Sequence, residues 1–366
     1  MKKEKLLAVL RLQATKNIGN IIAKKLISAT GSPEQIFRES ATSLLKIPGI
    51  GKYGIQHLFD KDNIKKAEKE LLYIEKNNCK CSYYLSSDYP KNLKHCIDSP
   101  ILIFSKGNIN FNTHRIISVV GTRSITNYGR ELCQKIIDQL AIYKPIIISG
   151  FAYGADICAH KAAIDNGLQN IAVMAHGLYR IYPEAHKKYY NHIVDNGGFI
   201  TEFWYKDDPL RENFLKRNRI IAGLSQATVV VESAEKGGAL VTADIANSYG
   251  REVFALSGRA NDMYSVGCNN LIKNNIAHLI SSANDIVKVL NWDVEKGLTP
   301  QQAEIPAEEL NEQELKIYNY LIENGKQLFD VIALKCDMPV YLLSSVLIQM
   351  ELKGIVKPLP GKLFEV

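Results

Sequence analysis

The chain reads as an α/β protein: a doubly wound, Rossmann-like sheet, preceded by a helical module and followed by a winged helix. Three observations carry that reading. Short apolar runs of strand length alternate with helical patterns over residues 81–291. Residues 1–80 are helical in periodicity throughout, and residues 310–366 are helical again until they close on a hairpin pattern. At 366 residues, with 46% hydrophobic and 23% charged, an ordinary globular chain of two or three domains is expected.

Residues 1–80 hold two similar elements. Asn17-Ile18-Gly19-Asn20 precedes an apolar helical run, and Ile47-Pro48-Gly49-Ile50-Gly51-Lys52 places a tight glycine turn between two others. The second has the pattern of a helix-hairpin-helix. Gly49 and Gly51 would free backbone N–H groups to face a phosphate, with Lys52 beside them; a plain turn between packed helices explains the pattern about as well. Charge favours a polyanionic partner here: this segment holds 16 Lys and Arg against 8 Asp and Glu, whereas residues 81–309 hold 23 of each and residues 310–366 hold 6 against 7.

In the central segment the candidate strands are Ile116–Val120, Ile146–Ser149, Ile171–Ala175, Phe199–Glu202, Thr228–Glu232, Glu252–Ala255 and His278–Ile280. Between the first two, Tyr128, Leu132, Ile136 and Leu140 recur at helical spacing, and Gly167, Gly197 and Gly250 suit the left-handed position after a helix. In an open parallel sheet, ligands bind outside the carboxyl ends of the strands. Those ends are rich in glycine: Gly121-Thr122-Arg123, Ser149-Gly150 through Gly154, His176-Gly177, Lys236-Gly237-Gly238 leading into a helix with Thr242, and Ser257-Gly258-Arg259. Glycine lets backbone approach an anion, and a helix start supplies free N–H donors. One such loop is a common connector; a row of them fits several phosphates in succession.

Arg211, Phe214, Lys216, Arg217, Asn218 and Arg219 then crowd the start of one helix. Arginine suits bidentate phosphate contact and Phe214 could stack on a base, although core packing and pairing with Glu202 or Glu232 would explain the same residues. No phosphate loop of the G-x-x-x-x-G-K-[ST] type and no G-x-G-x-x-G after the first strand is present, which disfavours ATP and NAD chemistry, and no cofactor is expected. Of seven cysteines, only Cys79 and Cys81 are close neighbours, and His160 and His176 lie in apolar stretches, so no metal site is indicated. No run is long enough for a membrane span or a signal-peptide core, and a cytoplasmic location is expected.

Together VVGTRSITNYGR (119–130), ISGFAYGADICAHKAAI (148–164), GLYRIYP (177–183), FLKRNRIIAGLS (214–225), VVVESAEKGGALVTADIA (229–246) and GCNNLI (267–272) resemble the DNA processing protein A (DprA/Smf) family. The resemblance implies a non-enzymatic protein that binds single-stranded DNA, dimerises through the Rossmann-like domain and loads the recombinase RecA during natural transformation. It further implies that Arg123 holds a phosphate, that Arg211, Phe214, Arg217, Asn218 and Arg219 line the same pocket, and that Gly121, Thr122, Ser149, Gly150, Gly154, Gly237, Gly238 and Thr242 form its wall. Gly237 stands where the family more often has serine, which removes a hydroxyl but keeps the backbone N–H. The alternative is a nucleotide or nucleic-acid hydrolase using Glu202 and Glu232 as acid and base.

Residues 292–309 read as a polar linker. The last segment reads as three helices and a hairpin around Pro360-Gly361. Its third helix, Val340–Leu352, offers only Gln349 and two serines for reading bases, so this winged helix is expected to contact protein rather than duplex DNA.

Overall fold

The computed structural model describes residues 1–292, 310–359 and 363–366, and the chain divides into two compact units, Met1–Asn291 and Trp292–Val366. Apart from Trp292, the expected linker lies outside the described residues, as does the turn at Pro360-Gly361.

The larger unit is built on nine strands: β1 (Lys80–Tyr83), β2 (Leu102–Gly107), β3 (Ile116–Val120), β4 (Ile146–Ser149), β5 (Asn170–Val173), β6 (Gly197–Thr201), β7 (Ala227–Val230), β8 (Glu252–Leu256) and β9 (His278–Ile280). They are ordered β1-β2-β6-β5-β4-β3-β7-β8-β9. From β6 to β9 every pairing is parallel, and β3 lies at the centre with β4 on one side and β7 on the other. The chain winds outward to β6 and then returns across β3 to β7. That reversal opens a crevice at the carboxyl ends of β3 and β7. All five residues of β3 are buried, as a strand covered on both faces requires. Its one polar side chain, Ser118, is satisfied inside the core by Thr228 Oγ1 at 2.7 Å and Ser225 Oγ at 3.0 Å.

Two strands were not foreseen. β1 and β2 extend the sheet antiparallel beyond β6, with Phe104 opposite Thr201. β2 finds its partner more than ninety residues downstream, beyond the reach of local periodicity. The helix Asn127–Leu140 forms as expected, but its buried stripe is Gly129, Cys133, Ile136, Ile137 and Leu140, while Tyr128 is exposed. Thr126 sets that phase: its hydroxyl accepts from Gly129 N at 3.1 Å and fixes the first turn. Gly167 and Gly250 take the left-handed conformation after their helices, whereas Gly197 opens β6 instead.

The helices of residues 1–80 share one hydrophobic core with Tyr83, Ile101, Leu102 and Phe104 of the sheet edge. Asn20 adds polar stitching, accepting from Ile101 N at 3.0 Å, and Tyr73 stacks on Tyr205 at 4.3 Å. The smaller unit has helices Glu312–Asn324, Phe329–Lys335 and Val340–Leu352 and three strands, β10 (Gln327–Leu328), β11 (Lys357–Leu359) and β12 (Leu363–Glu365), ordered β10-β12-β11. This is a winged helix. Its helix Val340–Leu352 exposes Val340, Tyr341, Ile348 and Leu352. No single helix among the described residues is long and apolar enough to cross a membrane.

One buried carboxyl joins the helical module to a loop of the sheet. Glu70, on the helix Lys61–Lys76, accepts from Tyr205 N at 3.1 Å. Burial pushes its carboxyl up from 4.5 to about 8, with the Tyr205 amide pulling the other way. A raised folded-state value means that the native protein holds a proton the unfolded chain releases. The stabilisation is therefore complete below about pH 4.5 and is lost as pH rises through about 8. Glu70→Gln is expected to flatten the decline of melting temperature across that interval; a decline as steep as wild type contradicts the assignment.

Candidate nucleic-acid interface

At the crevice lies a cavity of about 670 Å³. Its wall is made chiefly by three strand-end loops and the helix Arg211–Leu224, with Tyr182 from the loop after β5. Backbone hydrogen bonds lock the loops together: Thr122 N donates to Glu232 O at 2.7 Å, and Ala155 N donates to Thr122 O at 3.1 Å. Gly154 permits this closeness. Its φ is +78°, and a Cβ there would collide with the carbonyl oxygens of Thr122 and Arg123.

Arg217 ties the loop after β4 to the end of β5 from beneath, and through Asn218 to the loop after β7. Only 3% exposed, it donates through Nη1 to Gly150 O at 2.6 Å and to Val173 O, beyond β4 and at the end of β5. Its Nε donates to Asn218 Oδ1 at 3.3 Å, and Asn218 Nδ2 donates in turn to Gly238 O at 3.2 Å. Burial pulls the guanidinium down to about 10, against the attraction of Asp156, so it stays charged at neutral pH. Burial also pushes the Asp156 carboxyl up, with Arg217 the main opposing influence.

Above this floor the cavity is cationic. Arg123, Arg211 and Lys236 line it, all exposed, and none makes an ion pair among the described residues. Phe214 is half-buried between two guanidinium groups, Arg123 at 5.2 Å and Arg217 at 5.8 Å from its ring centre. Tyr182 meets it edge-on at 6.3 Å. The helix Gly238–Ser248 begins at this wall with no side-chain cap, so its first-turn N–H groups have no intrahelical acceptor. An uncapped helix start beside three cations suits an anion.

Gly121, Thr122, Arg123, Arg211, Phe214, Arg217, Asn218, Gly237, Gly238 and Thr242 are thus brought to one cavity. Four expected residues are not. Ser149 is fully buried and spends its hydroxyl on Val119 O at 2.6 Å, because the loop turns only after it. Gly150 and Gly154 act from behind the wall, giving room to Arg217 and to the Thr122 loop. Arg219 points to the other side of its helix and pairs with Glu202, which also accepts from Asn20 at 3.4 Å. Burial pushes the Glu202 carboxyl up, with Arg219 opposing. Glu232 accepts from Thr126 N at 2.8 Å and Thr126 Oγ1 at 2.5 Å. Neither glutamate lines the cavity, so the carboxylate pair of the hydrolase alternative is not assembled there.

Lys236, Tyr182 and Asp156 join the cavity without having been singled out. Their residue types were legible beside the glycine loops; their direction was not. Gly49, Gly51 and Lys52 are exposed on the helical module and do not line the cavity. His160 Nδ1 lies 3.1 Å from Asn170 Oδ1, and His176 Nδ1 donates to Gly177 O at 2.8 Å, so both rings are held by local bonds.

Residues 80–291 match the family described as DNA recombination-mediator protein A, and residues 301–362 match the DprA winged helix domain. The chain belongs to the DNA recombination-mediator protein A family. The Protein Smf of Escherichia coli strain K12 is 32% identical over 81% of this chain and 80% of its own length. A crystal structure of DNA processing protein A from Streptococcus pneumoniae aligns with a TM-score of 0.68 at 30% identity, covering 77% of this chain and 96% of that one. A solved structure from Helicobacter pylori, described in terms of its single-stranded DNA binding mode, aligns with a TM-score of 0.53 at 26% identity, covering 58% of this chain and 97% of that one.

Two of the cavity's three arginines should separate stability from surface chemistry. Arg217→Ala removes the bonds to the Gly150 and Val173 carbonyls and the positive charge near buried Asp156, and is expected to lower unfolding free energy by about 3 kcal/mol. Arg123→Ala, at an exposed position, should stay within about 0.5 kcal/mol of wild type. Urea denaturation checks both; equal losses contradict the division.

Proposed function

We propose that this cavity holds the backbone of single-stranded DNA and that the chain is a binding protein rather than an enzyme. The observation that carries the reading is the wall itself: Arg123, Arg211 and Lys236 stand around an uncapped helix start, with Phe214 among them. The cations and backbone N–H groups meet phosphates, and the aromatic ring meets a base. Stacking needs an unpaired base, so single strands should be preferred over duplex. Family membership and the described binding mode of the Helicobacter pylori relative support the same ligand.

In the cell the protein would act in the cytoplasm during natural transformation, protecting incoming single strands and loading RecA on them; the recombination-mediator family supports that role. A homodimer through the Rossmann-like unit is the expected assembly. The sheet ends at β9, an open edge carrying the exposed Leu279 that a second copy could cover. The winged helix, with its exposed apolar helix face, would meet protein.

Binding of a thymidine oligonucleotide by fluorescence anisotropy tests the ligand. Arg123→Ala removes a charge-assisted contact of about 1.5–3 kcal/mol, so its Kd should rise about tenfold or more. Phe214→Ala should act on a similar scale, since stacking contributes about 1–3 kcal/mol per base. Affinity for Arg123→Ala equal to that of wild type would sink the assignment.

A further inference from the structure

Arg123 also lines a second depression. A groove of about 720 Å³ lies between the helices Asn127–Leu140 and Ala155–Asp165, which follow the first two glycine loops. Ile125 and Ile157 give it an apolar wall, and Arg123, Arg130, Lys135 and Lys161 stand against Glu131 and Asp138. Asp138 is engaged, accepting from Gln134 at 2.8 Å and Asn166 at 2.6 Å. Arg130 donates to Ile125 O at 3.3 Å, and none of the four basic residues makes an ion pair among the described residues. Tyr153, 49% exposed, stands in the same groove, its ring held edge-on by His186 at 4.9 Å.

This concentration of cations is not the background of the domain, since residues 81–309 carry 23 charges of each sign. It is continuous with the cavity through Arg123, which faces both. We propose that the groove is a second station for the same DNA strand. A strand leaving the cavity passes Arg123, sets a base against Tyr153, and lays its next phosphates against Arg130, Lys135 and Lys161. The inference rests on reading the cavity as a single-strand site, and it predicts a footprint longer than the cavity alone. Charge sign and continuity favour a nucleic-acid strand here over a protein segment.

The test compares the full chain with its Lys135→Glu/Lys161→Glu variant on thymidine oligonucleotides of about 6 and about 20 nucleotides, across a salt series. Wild type should bind the longer strand more tightly and with a steeper salt dependence. The variant should bind the short strand as wild type does. Its affinity for the long strand should fall about tenfold, and its salt slope should drop by about 1.4, at about 0.7 per phosphate contact. A long-to-short ratio and slope equal to wild type overturn the groove, and would also be the result if a protein occupies it. Wild type binding neither strand would overturn the cavity reading as well.

A second readout needs no variant that must fold. Cys158 lines the groove. Saturating long oligonucleotide should slow its alkylation by N-ethylmaleimide, followed by mass spectrometry, about fivefold, and the short one should not. Equal rates with and without the long strand overturn the proposal.

Discussion

Beneath the cavity, the guanidinium of Arg217 is out of water and surrounded by backbone carbonyl oxygens. A charge in that position is tolerated only because Gly150 O, Val173 O and Asn218 accept from it while Asp156 lies close by. Each of those bonds constrains something the site needs. Gly150 and Val173 fix the ends of two adjacent strands, and Asn218 carries the tie onward to Gly238, where the uncapped helix begins. Because Arg217 sits on the helix Arg211–Leu224, the same bonds fix that helix, and with it Phe214 one turn earlier. The cradle is built before any ligand arrives, so its groups lose little freedom on binding.

The opposite side of that helix has a different task. Arg219 pairs with Glu202, and Glu202 reaches Asn20 of the helical module. With Glu70 holding the Tyr205 amide, this joins residues 1–80 to the loops that lead into the cavity. The helical module therefore acts as a buttress of the sheet edge. Its excess of lysine and arginine remains a general positive field, separate from the local arrangement of three exposed cations in a domain of balanced charge.

Much of this was legible in the amino-acid pattern, because buried parallel strands and glycine loops leave local signatures. The seven parallel strands fall within two residues of the expected bounds, and the glycine rim lies at the switch in strand order. Direction was not legible. Arg217 and Arg219 are two residues apart, so a helix turns them to different sides, and only packing decides which enters the crevice. Ser149 and Tyr182 show the same limit from opposite ends. A serine beside a glycine loop went to a core carbonyl, while a tyrosine from a distant loop came to the wall. β2 is not legible because it pairs with β6, far along the chain, and β1 because it joins the sheet only through β2.

Backbone and cations at three strand-end loops, tied by Arg217, Asn218 and the Thr122 backbone bonds, form one preorganised anion cradle. Amide hydrogen exchange of the intact chain with and without a thymidine oligonucleotide addresses it most directly. Exchange should slow on binding at residues 121–124, 152–155 and 237–241, with the winged helix unchanged. Protection confined to residues 1–80 or to the winged helix, with none at those loops, would contradict it.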